Sequence, residues 1–496
     1  MLVTLLTIAE VVYVVVLAIW ILFEKRPPVS TIAWILALIA LPYLGFFIYF
    51  FLGRRRLERK RLRYRRARGA DHGAPGDDAI APAPRPAGAE REDPRVGDLD
   101  RLAMNSGEPP STFADEVEVF HDAASTYDAI EAAIRAARHH VHVAYYIFDS
   151  GRVGTRFIDL LIERAQAGVK VRLLIDDVGS SGMKRDAVRR LEAAQITVTR
   201  FNPVSFSRLR SRFDFRNHRK IVVCDGRVGF TGGINLCDDY LPELDDEVPL
   251  GGAPARARRA RARHGHPSPW RDTHVKLVGD AVRWLQLTFL CDYHYASGML
   301  AREPEVFPPF TGAGRHRVQV VTSGPDREIR AIQDAYFAAM ALARERVWVT
   351  TPYFIPDQAM RVALTTAARR GVDVRILVPR RSDSLVVTAA ARSYFDAILA
   401  TGVKIYEYTP TMIHSKTLVV DDFFAAVGTA NLDIRSFRLN FEITAILYGE
   451  THARELARAF ERDLASAVEV TPQTRAHLGL AWRAAEAGAR VLSPLL

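Results

Sequence analysis

His218-Arg219-Lys220-Ile221-Val222-Val223-Cys224-Asp225 and His414-Ser415-Lys416-Thr417-Leu418-Val419-Val420-Asp421 are two copies of one pattern, His-x-Lys-x4-Asp. The second follows the first by 196 residues (414 − 218), and the same offset carries Gly232 onto Gly428 and Asn235 onto Asn431. One such pattern is a weak signal, because at about 5% per specified residue chance supplies it in roughly one chain of this length in twenty. Two copies in register, with glycine and asparagine aligned as well, are not accidental. The duplication decides the fold.

The residues around each copy repeat too. Asp128 to Arg138 reads as a helix and Val141 to Phe148 as a buried strand; Phe157 to Gln166 is a helix stopped by Gly168, and Val169 to Ile175 a strand. The later half has a helix at Ile329 to Ala343, a strand at Val347 to Thr351, a helix running to Arg370, and a strand at Val372 to Val378. Ala-Gly-Val-Lys-Val-Arg at 167–172 is echoed by Arg-Gly-Val-Asp-Val-Arg at 370–375. The expected fold class is α/β: two similar lobes with pseudo-twofold symmetry, each a mixed sheet flanked by helices.

Read as a strand, each motif puts its histidine and lysine on one face, His218 with Lys220 and His414 with Lys416. Lobes packed about a twofold axis would bring both pairs to one pocket. Lys220, Lys416, Asn235 and Asn431 then offer charge and hydrogen bonds to one phosphate. The two histidines offer the nucleophile and the proton donor of two-step phosphoryl chemistry. Asp225 and Asp421 complete the catalytic motif and are expected to support its structure more than to touch substrate. No acidic cluster suited to Mg²⁺ accompanies these residues, so the reading calls for no metal and no cofactor.

Each histidine needs a carboxylate to fix its tautomer. Glu442, opening an apolar strand at 440–444, is one candidate; Asp272, in Trp270-Arg271-Asp272-Thr273-His274-Val275, is the other. Subtracting the offset places the counterpart of Glu442 at 246 (442 − 196), so Asp272 arrives 26 residues late (272 − 246). An insertion at about 242–269, containing Ala-Arg-Ala-Arg-Arg-Ala-Arg-Ala-Arg, accounts for that lag.

Upstream, Leu2 to Phe23 and about Thr31 to Leu52 are apolar runs separated by Glu24-Lys25-Arg26-Pro27-Pro28. Each is long enough for a membrane crossing, which needs about 20 helical residues, and Pro42 predicts a kink in the second. Ten basic residues between Arg54 and Arg68 follow the second run. The positive-inside rule then places both termini in the cytoplasm. From about 69 to 100 the chain is rich in Ala, Pro, Gly and Asp, a tether with little to bury. The expected division is a transmembrane hairpin at 1–53, a basic juxtamembrane segment and linker at 54–105, a first lobe at 106–305 and a second at 306–496.

The 496 residues carry a net charge of +10, which points to an anionic partner, nucleic acid or a negatively charged membrane surface. The hairpin favours the membrane, and no nucleic acid partner is expected. Cys224, Cys237 and Cys291 are odd in number and lack metal-ligand spacing, so they read as packing residues.

These motifs resemble those of the phospholipase D superfamily and, within it, the bacterial cardiolipin synthases. The resemblance lies in Leu52-Gly53-Arg54-Arg55, in Asn217 to Val223 and in Phe230-Thr231-Gly232-Gly233-Ile234-Asn235-Leu236. It extends to Thr351-Pro352-Tyr353-Phe354-Ile355-Pro356-Asp357 and to Gly428 to Phe437. Only the linker and the arginine-rich insert fall outside it. It implies a ping-pong transfer at a bacterial inner membrane, with the lobes facing the cytoplasm. One phosphatidylglycerol donates its phosphatidyl group to a histidine, a second accepts it, and phosphatidylethanolamine is an alternative lipid partner. It favours His218 as nucleophile and His414 as acid/base. The motifs alone do not separate such transfer from hydrolysis to phosphatidic acid, or from a membrane-tethered phosphodiesterase or nuclease.

Overall fold

A computed structural model describes residues 2–24, 28–49, 93–204, 215–242, 269–301, 303–312 and 314–494. The basic cluster at 54–68, most of the expected linker and the arginine-rich insert lie outside the described residues. The first lobe contributes β1 (Thr112–Phe120), β2 (His140–Tyr145), β3 (Lys170–Asp176), β4 (Thr197–Phe201), β5 (Ile221–Cys224), β6 (Val228–Gly232) and β7 (His274–Gly279). The second contributes β8 (His316–Ser323), β9 (Arg346–Thr350), β10 (Phe354–Ile355), β11 (Asp373–Pro379) and β12 (Lys404–Tyr408). After these come β13 (Thr417–Val420), β14 (Phe424–Gly428), β15 (Leu432–Asp433), β16 (Glu442–Tyr448) and β17 (Ala467–Val470).

All but β10 and β15 join one 15-stranded sheet, ordered β4-β3-β2-β5-β6-β7-β1-β8-β16-β14-β13-β9-β11-β12-β17. Read outward from the central antiparallel pair β1–β8, the two halves run β7-β6-β5-β2-β3-β4 and β16-β14-β13-β9-β11-β12. They are the same order, and β17 only extends one edge. In each half the outer three strands are parallel and the rest antiparallel. Parallel neighbours need crossover helices. Helix Arg152–Gln166 supplies one, burying Val153, Phe157, Ile158, Leu160 and Leu161 along one stripe. Helix Gln358–Arg369 is its counterpart, N-capped by Asp357, which accepts the Met360 N–H at 3.1 Å. Both end on glycines with positive φ, Gly168 (89°) and Gly371 (88°), so the echo between 167–172 and 370–375 is this helix stop leading into β3 and β11.

Three expectations change. The end of the supposed tether is a helix, Pro94–Asn105, capped by Asp93. Its Val96, Leu99 and Ala103 are buried with Ile332, Tyr336 and Met340 of the second lobe. Three apolar residues on one stripe were enough to dock a segment whose composition looked too polar. Second, the motif histidines and lysines do not lie within strands. β5 starts at Ile221 and β13 at Thr417, and the histidines and lysines lie on the approaches to them.

The third change concerns the amino terminus. Leu2–Phe23 is a 22-residue helix, but the second apolar run is divided into Pro28–Ala40 and Pro42–Ile48. Pro42 starts a helix there, where its missing N–H costs nothing, in place of the kink expected within one. Ile21, Leu38 and Tyr49 bury one another, and the Tyr49 hydroxyl donates to Glu24 at 2.6 Å. Among the described residues, no helix is long and apolar enough to cross a membrane.

Candidate active site

The site is assembled by exchange between the lobes. The approach to β5 pairs with the start of β16 through Asn217 and Phe441, and the approach to β13 pairs with the segment before β7 through Ile413 and Arg271. Backbone bonds fix both crossings: His218 N–H to Phe441 O at 2.9 Å, and His414 N–H to Arg271 O at 2.7 Å. Each histidine therefore faces a carboxylate of the other half. His218 Nδ1 lies 2.9 Å from Glu442 Oε2, and His414 Nδ1 lies 2.7 Å from Asp272 Oδ2. Both carboxylates have no solvent exposure, and the histidines only 9% and 5%.

With the carboxylates ionised, both Nδ1 atoms carry the hydrogen and both Nε2 lone pairs are left free, the tautomer a nucleophile or base requires. Lys220 Nζ donates to His218 O at 2.9 Å, and Lys416 Nζ lies 2.8 Å from His414 Nδ1. Burial drives the Lys220 ammonium down to about 7, helped by the like charge of Lys416, and drives Lys416 down to about 8. Burial and then Lys416 push His414 down to about 3, and burial lowers His218 too. Burial alone would raise both carboxylates. Lys416 and His414 outweigh it at Asp272, His218 outweighs it at Glu442, and both stay below the usual range. The site thus holds neutral imidazoles and two lysines with lowered pKa values, an environment that a phosphate anion would relieve.

Asn235 and Asn431 sit beyond the hairpins of the two motifs. The Asn235 amide oxygen accepts the Ile147 N–H at 3.2 Å, and its nitrogen lies 3.3 Å from the Tyr240 hydroxyl. The Asn431 amide oxygen is buried without a partner. Asp225 and Asp421 leave the catalytic set. Asp225 accepts the backbone N–H groups of Arg138, His139 and His140 at 2.7 to 2.9 Å. Asp421 accepts those of Arg344, Glu345 and Arg346, together with the Arg95 guanidinium at 2.5 Å. Both stand past the far ends of β5 and β13 with positive φ, 52° and 46°, and tie each motif strand to its neighbour. No group of His, Cys, Asp and Glu among the described residues could hold a metal.

Sequence reasoning passed over several residues that shape this site. Tyr240 is buried, and its hydroxyl lies 3.0 Å from His414 Nδ1 and 3.3 Å from Asp272 Oδ2. The 196-residue offset maps it onto Ser436, so the duplication itself marks the departure. Thr429, which donates to Glu442 at 2.5 Å, maps onto Gly233, where a Cβ would collide with the Asp272 carboxylate. The two halves thus satisfy their carboxylates differently. Arg219 Nε donates to Glu442 O at 3.0 Å while its guanidinium pairs with Asp292 at 2.6 Å. Arg271 does the equivalent, bonding Asp272 O at 2.6 Å and Asp463 at 2.8 Å. Tyr146 lies edge-on to the His218 ring at 4.9 Å, and Trp270 lies 5.2 Å from that of His414.

Comparison with known proteins gives concordant matches. The family described as "Cardiolipin synthase, PLD-like domain" matches residues 130–250 and 336–464, and "Phospholipase_D-nuclease N-terminal" matches 11–54. Cardiolipin synthase of Geobacillus kaustophilus is 37% identical over 97% of this chain and 92% of its own length. That of Alkalihalophilus pseudofirmus is 36% identical over 99% and 94%. Among solved structures, the phosphatidylserine synthase of Haemophilus influenzae superposes with a TM-score of 0.56 at 13% identity, covering 80% of this chain and all of that one, a likeness of fold.

Proposed function

The chain belongs to the cardiolipin synthase family of phospholipase D-like proteins, and from that premise we propose how its residues carry out phosphatidyl transfer. It is a phosphatidyltransferase of the phospholipase D type. Phosphatidylglycerol is the proposed donor and acceptor. His218 Nε2 attacks the donor phosphorus and forms a P–N bond as the P–O bond to glycerol breaks. His414 delivers the proton that makes glycerol a leaving group. The hydroxyl of a second phosphatidylglycerol then gives its proton back to His414 and attacks the phosphatidyl-histidine. The P–N bond breaks, and cardiolipin and the free enzyme result. Lys220, Lys416, Asn235 and Asn431 are proposed to hold the phosphate, Glu442 and Asp272 to orient the imidazoles, and Tyr240 to position His414. The observation that carries this reading is the exchange of carboxylates between lobes, at 2.9 and 2.7 Å, which leaves both Nε2 atoms free.

His414 is held neutral at about 3, so it must take up a proton from solvent as the phosphodiester binds. Burial depresses it most and the two lysine charges add to that; a phosphodiester anion offsets the lysines, which favours a proton on the imidazole beside its own carboxylate.

The amino-terminal helices are proposed to anchor this unit in the bacterial inner membrane. The support for an anchor is the surface of these helices and not a completed span: Leu2–Phe23 is a 22-residue helix, about 33 Å long. Val12, Val16, Ile19 and Phe23 stand exposed on it, as do Leu36 and Phe47 on its neighbours. Water is a poor solvent for such a surface and lipid a good one.

The purified protein supplied with radiolabelled phosphatidylglycerol is expected to release glycerol and cardiolipin in equal amounts. Phosphatidic acid as the main product would replace transfer by hydrolysis. His414→Ala given a phosphodiester with a good leaving group is expected to accumulate label on His218, and label on another residue would overturn the assignment.

A further inference from the structure

Helix Leu480–Val491 is turned inside out. Leu480, Ala484, Ala487 and Val491, spaced to form one stripe, are all exposed, Leu480 at 84% and Val491 at 78%. Its buried residues are Glu486 and Ala489. The burial of Glu486 has a cause, since Arg475 donates to both its oxygens at 2.8 and 2.7 Å. Among the described residues, no packing accounts for the apolar stripe outside.

Its flanks are basic. Arg483 and Arg490 each donate to a backbone carbonyl, Ala476 O at 3.3 Å and Ser393 O at 3.0 Å; Arg483 acts on Asp396 only through space, Arg490 lies 4.5 Å over the Tyr394 ring, and neither forms a close ion pair among the described residues. Glu486 is the helix's only acid, so no acid is exposed on it. A cleft of about 480 Å³ opens between this helix and residues 393–400, with Arg483 and Arg490 in its lining. Its two acids, Asp396 and Glu486, are both engaged by Arg475. The helix packs along Leu385–Arg392, where Leu385 (83%) and Val386 (45%) are again exposed. They follow Asp383, which accepts the Tyr353 hydroxyl at 2.8 Å, and the Tyr353 ring lies 6.3 Å from that of His414.

We propose that this face, Leu480 and Val491 with Leu385 and Val386, edged by Arg483 and Arg490, is a second membrane contact that seats the catalytic unit on an anionic phospholipid leaflet. The apolar side chains enter below the headgroups, and the arginines meet lipid phosphates at the cleft. A second copy of the chain fits poorly, because a twofold contact centred on the stripe would set Arg483 of one copy against Arg490 of the other with no exposed acid on the helix between them. The proposal rests on the lipid-substrate reading above.

An environment-sensitive fluorophore on Val491→Cys tests it in the full-length protein, whose own cysteines are buried. A label on Arg189→Cys, an exposed position in the first lobe, is the reference. In nanodiscs containing phosphatidylglycerol the label at 491 is expected to shift to the blue and brighten about threefold over the reference, and Arg483→Glu with Arg490→Glu to remove most of that gain. A label at 491 that behaves like the one at 189 overturns the proposal. So does brightening in lipid-free detergent that rises with protein concentration, which would mean a second copy. Cardiolipin formation on the same samples separates the two readings. An exposed label with product formed removes the docking surface alone, and a buried label without product removes the catalytic reading alone.

Discussion

At the scale of single residues, the near-symmetry of the site makes its asymmetries informative. Tyr240 gives His414 a polar neighbour at 3.0 Å that nothing in the other half matches by sequence, because the offset places Ser436 there. Tyr240→Phe keeps the ring and removes the hydroxyl that lies 3.0 Å from His414 and 3.3 Å from Asp272 and Asn235; the contact with His414 alone is worth about 1 to 1.5 kcal/mol. The expected result is a five- to tenfold fall in kcat, on the order of that energy, with KM nearly unchanged. A rise in KM at constant kcat would move the hydroxyl from positioning the histidine to binding lipid. The lysines yield a second prediction. Lys220 at about 7 and Lys416 at about 8 are partly deprotonated near neutral pH, and a bound anion raises both. Inorganic phosphate is therefore expected to bind with proton uptake and to weaken as pH rises through 7 to 8. Calorimetry in buffers of different ionisation enthalpy reads the uptake directly. Proton release, or affinity flat across that range, would contradict it.

At the scale of elements, the helix Pro94–Asn105 shows where the sequence stopped being legible. It carries four large apolar residues, Val96, Leu99, Leu102 and Met104, in a short polar stretch, and its buried Val96, Leu99 and Ala103 are spaced three and four apart. Docked on the second lobe, it also brings Arg95 to Asp421, whose carboxylate closes the turn after β13. Leu99→Ala is expected to cost about 2 to 4 kcal/mol and to lower the unfolding midpoint of the purified protein, because Leu99 is 2% exposed. A midpoint within error of wild type would make the helix an ornament of the lobe. The crossover helices and the strands β2, β3, β9 and β11 were legible because apolar period and glycine stops agree locally. The exchange of carboxylates was not. Glu442 and Asp272 could be picked out as acids at strand starts, but which histidine each serves depends on how two distant segments cross, and no local pattern encodes that. The histidine and lysine side chains come together without the strand alternation invoked for them, since both precede their strands.

At the scale of the molecule, one sheet runs through both lobes and each lobe completes the other's active site, so acid should act on the whole at once. His140 is held down to about 4 and His274 and His414 to about 3, and burial lowers His142 and His218 as well. All five are 9% exposed or less. The sign follows from linkage. Above their unfolded value of about 6.5 these groups are neutral in both states and contribute nothing. Below it the unfolded chain takes up protons that the folded chain refuses, until the folded values are reached. Each histidine then removes about 1.4 kcal/mol of stability per pH unit, so five together remove several. Asp272 and Glu442 act elsewhere: with lowered folded values, their contribution is complete above about 4 and is lost only below it. The interval from 6.5 down to about 4 therefore belongs to the histidines. Thermal unfolding followed at pH 7.5, 6.5 and 5.5 is expected to show a small drop over the first step, in which Lys220 and Lys416 finish taking up their protons, and a larger one on the order of 10 °C over the second. A midpoint that stays level to pH 5.5 would mean that the interior admits protons to these rings, and with it the neutral imidazoles on which the proposed transfer depends would be lost.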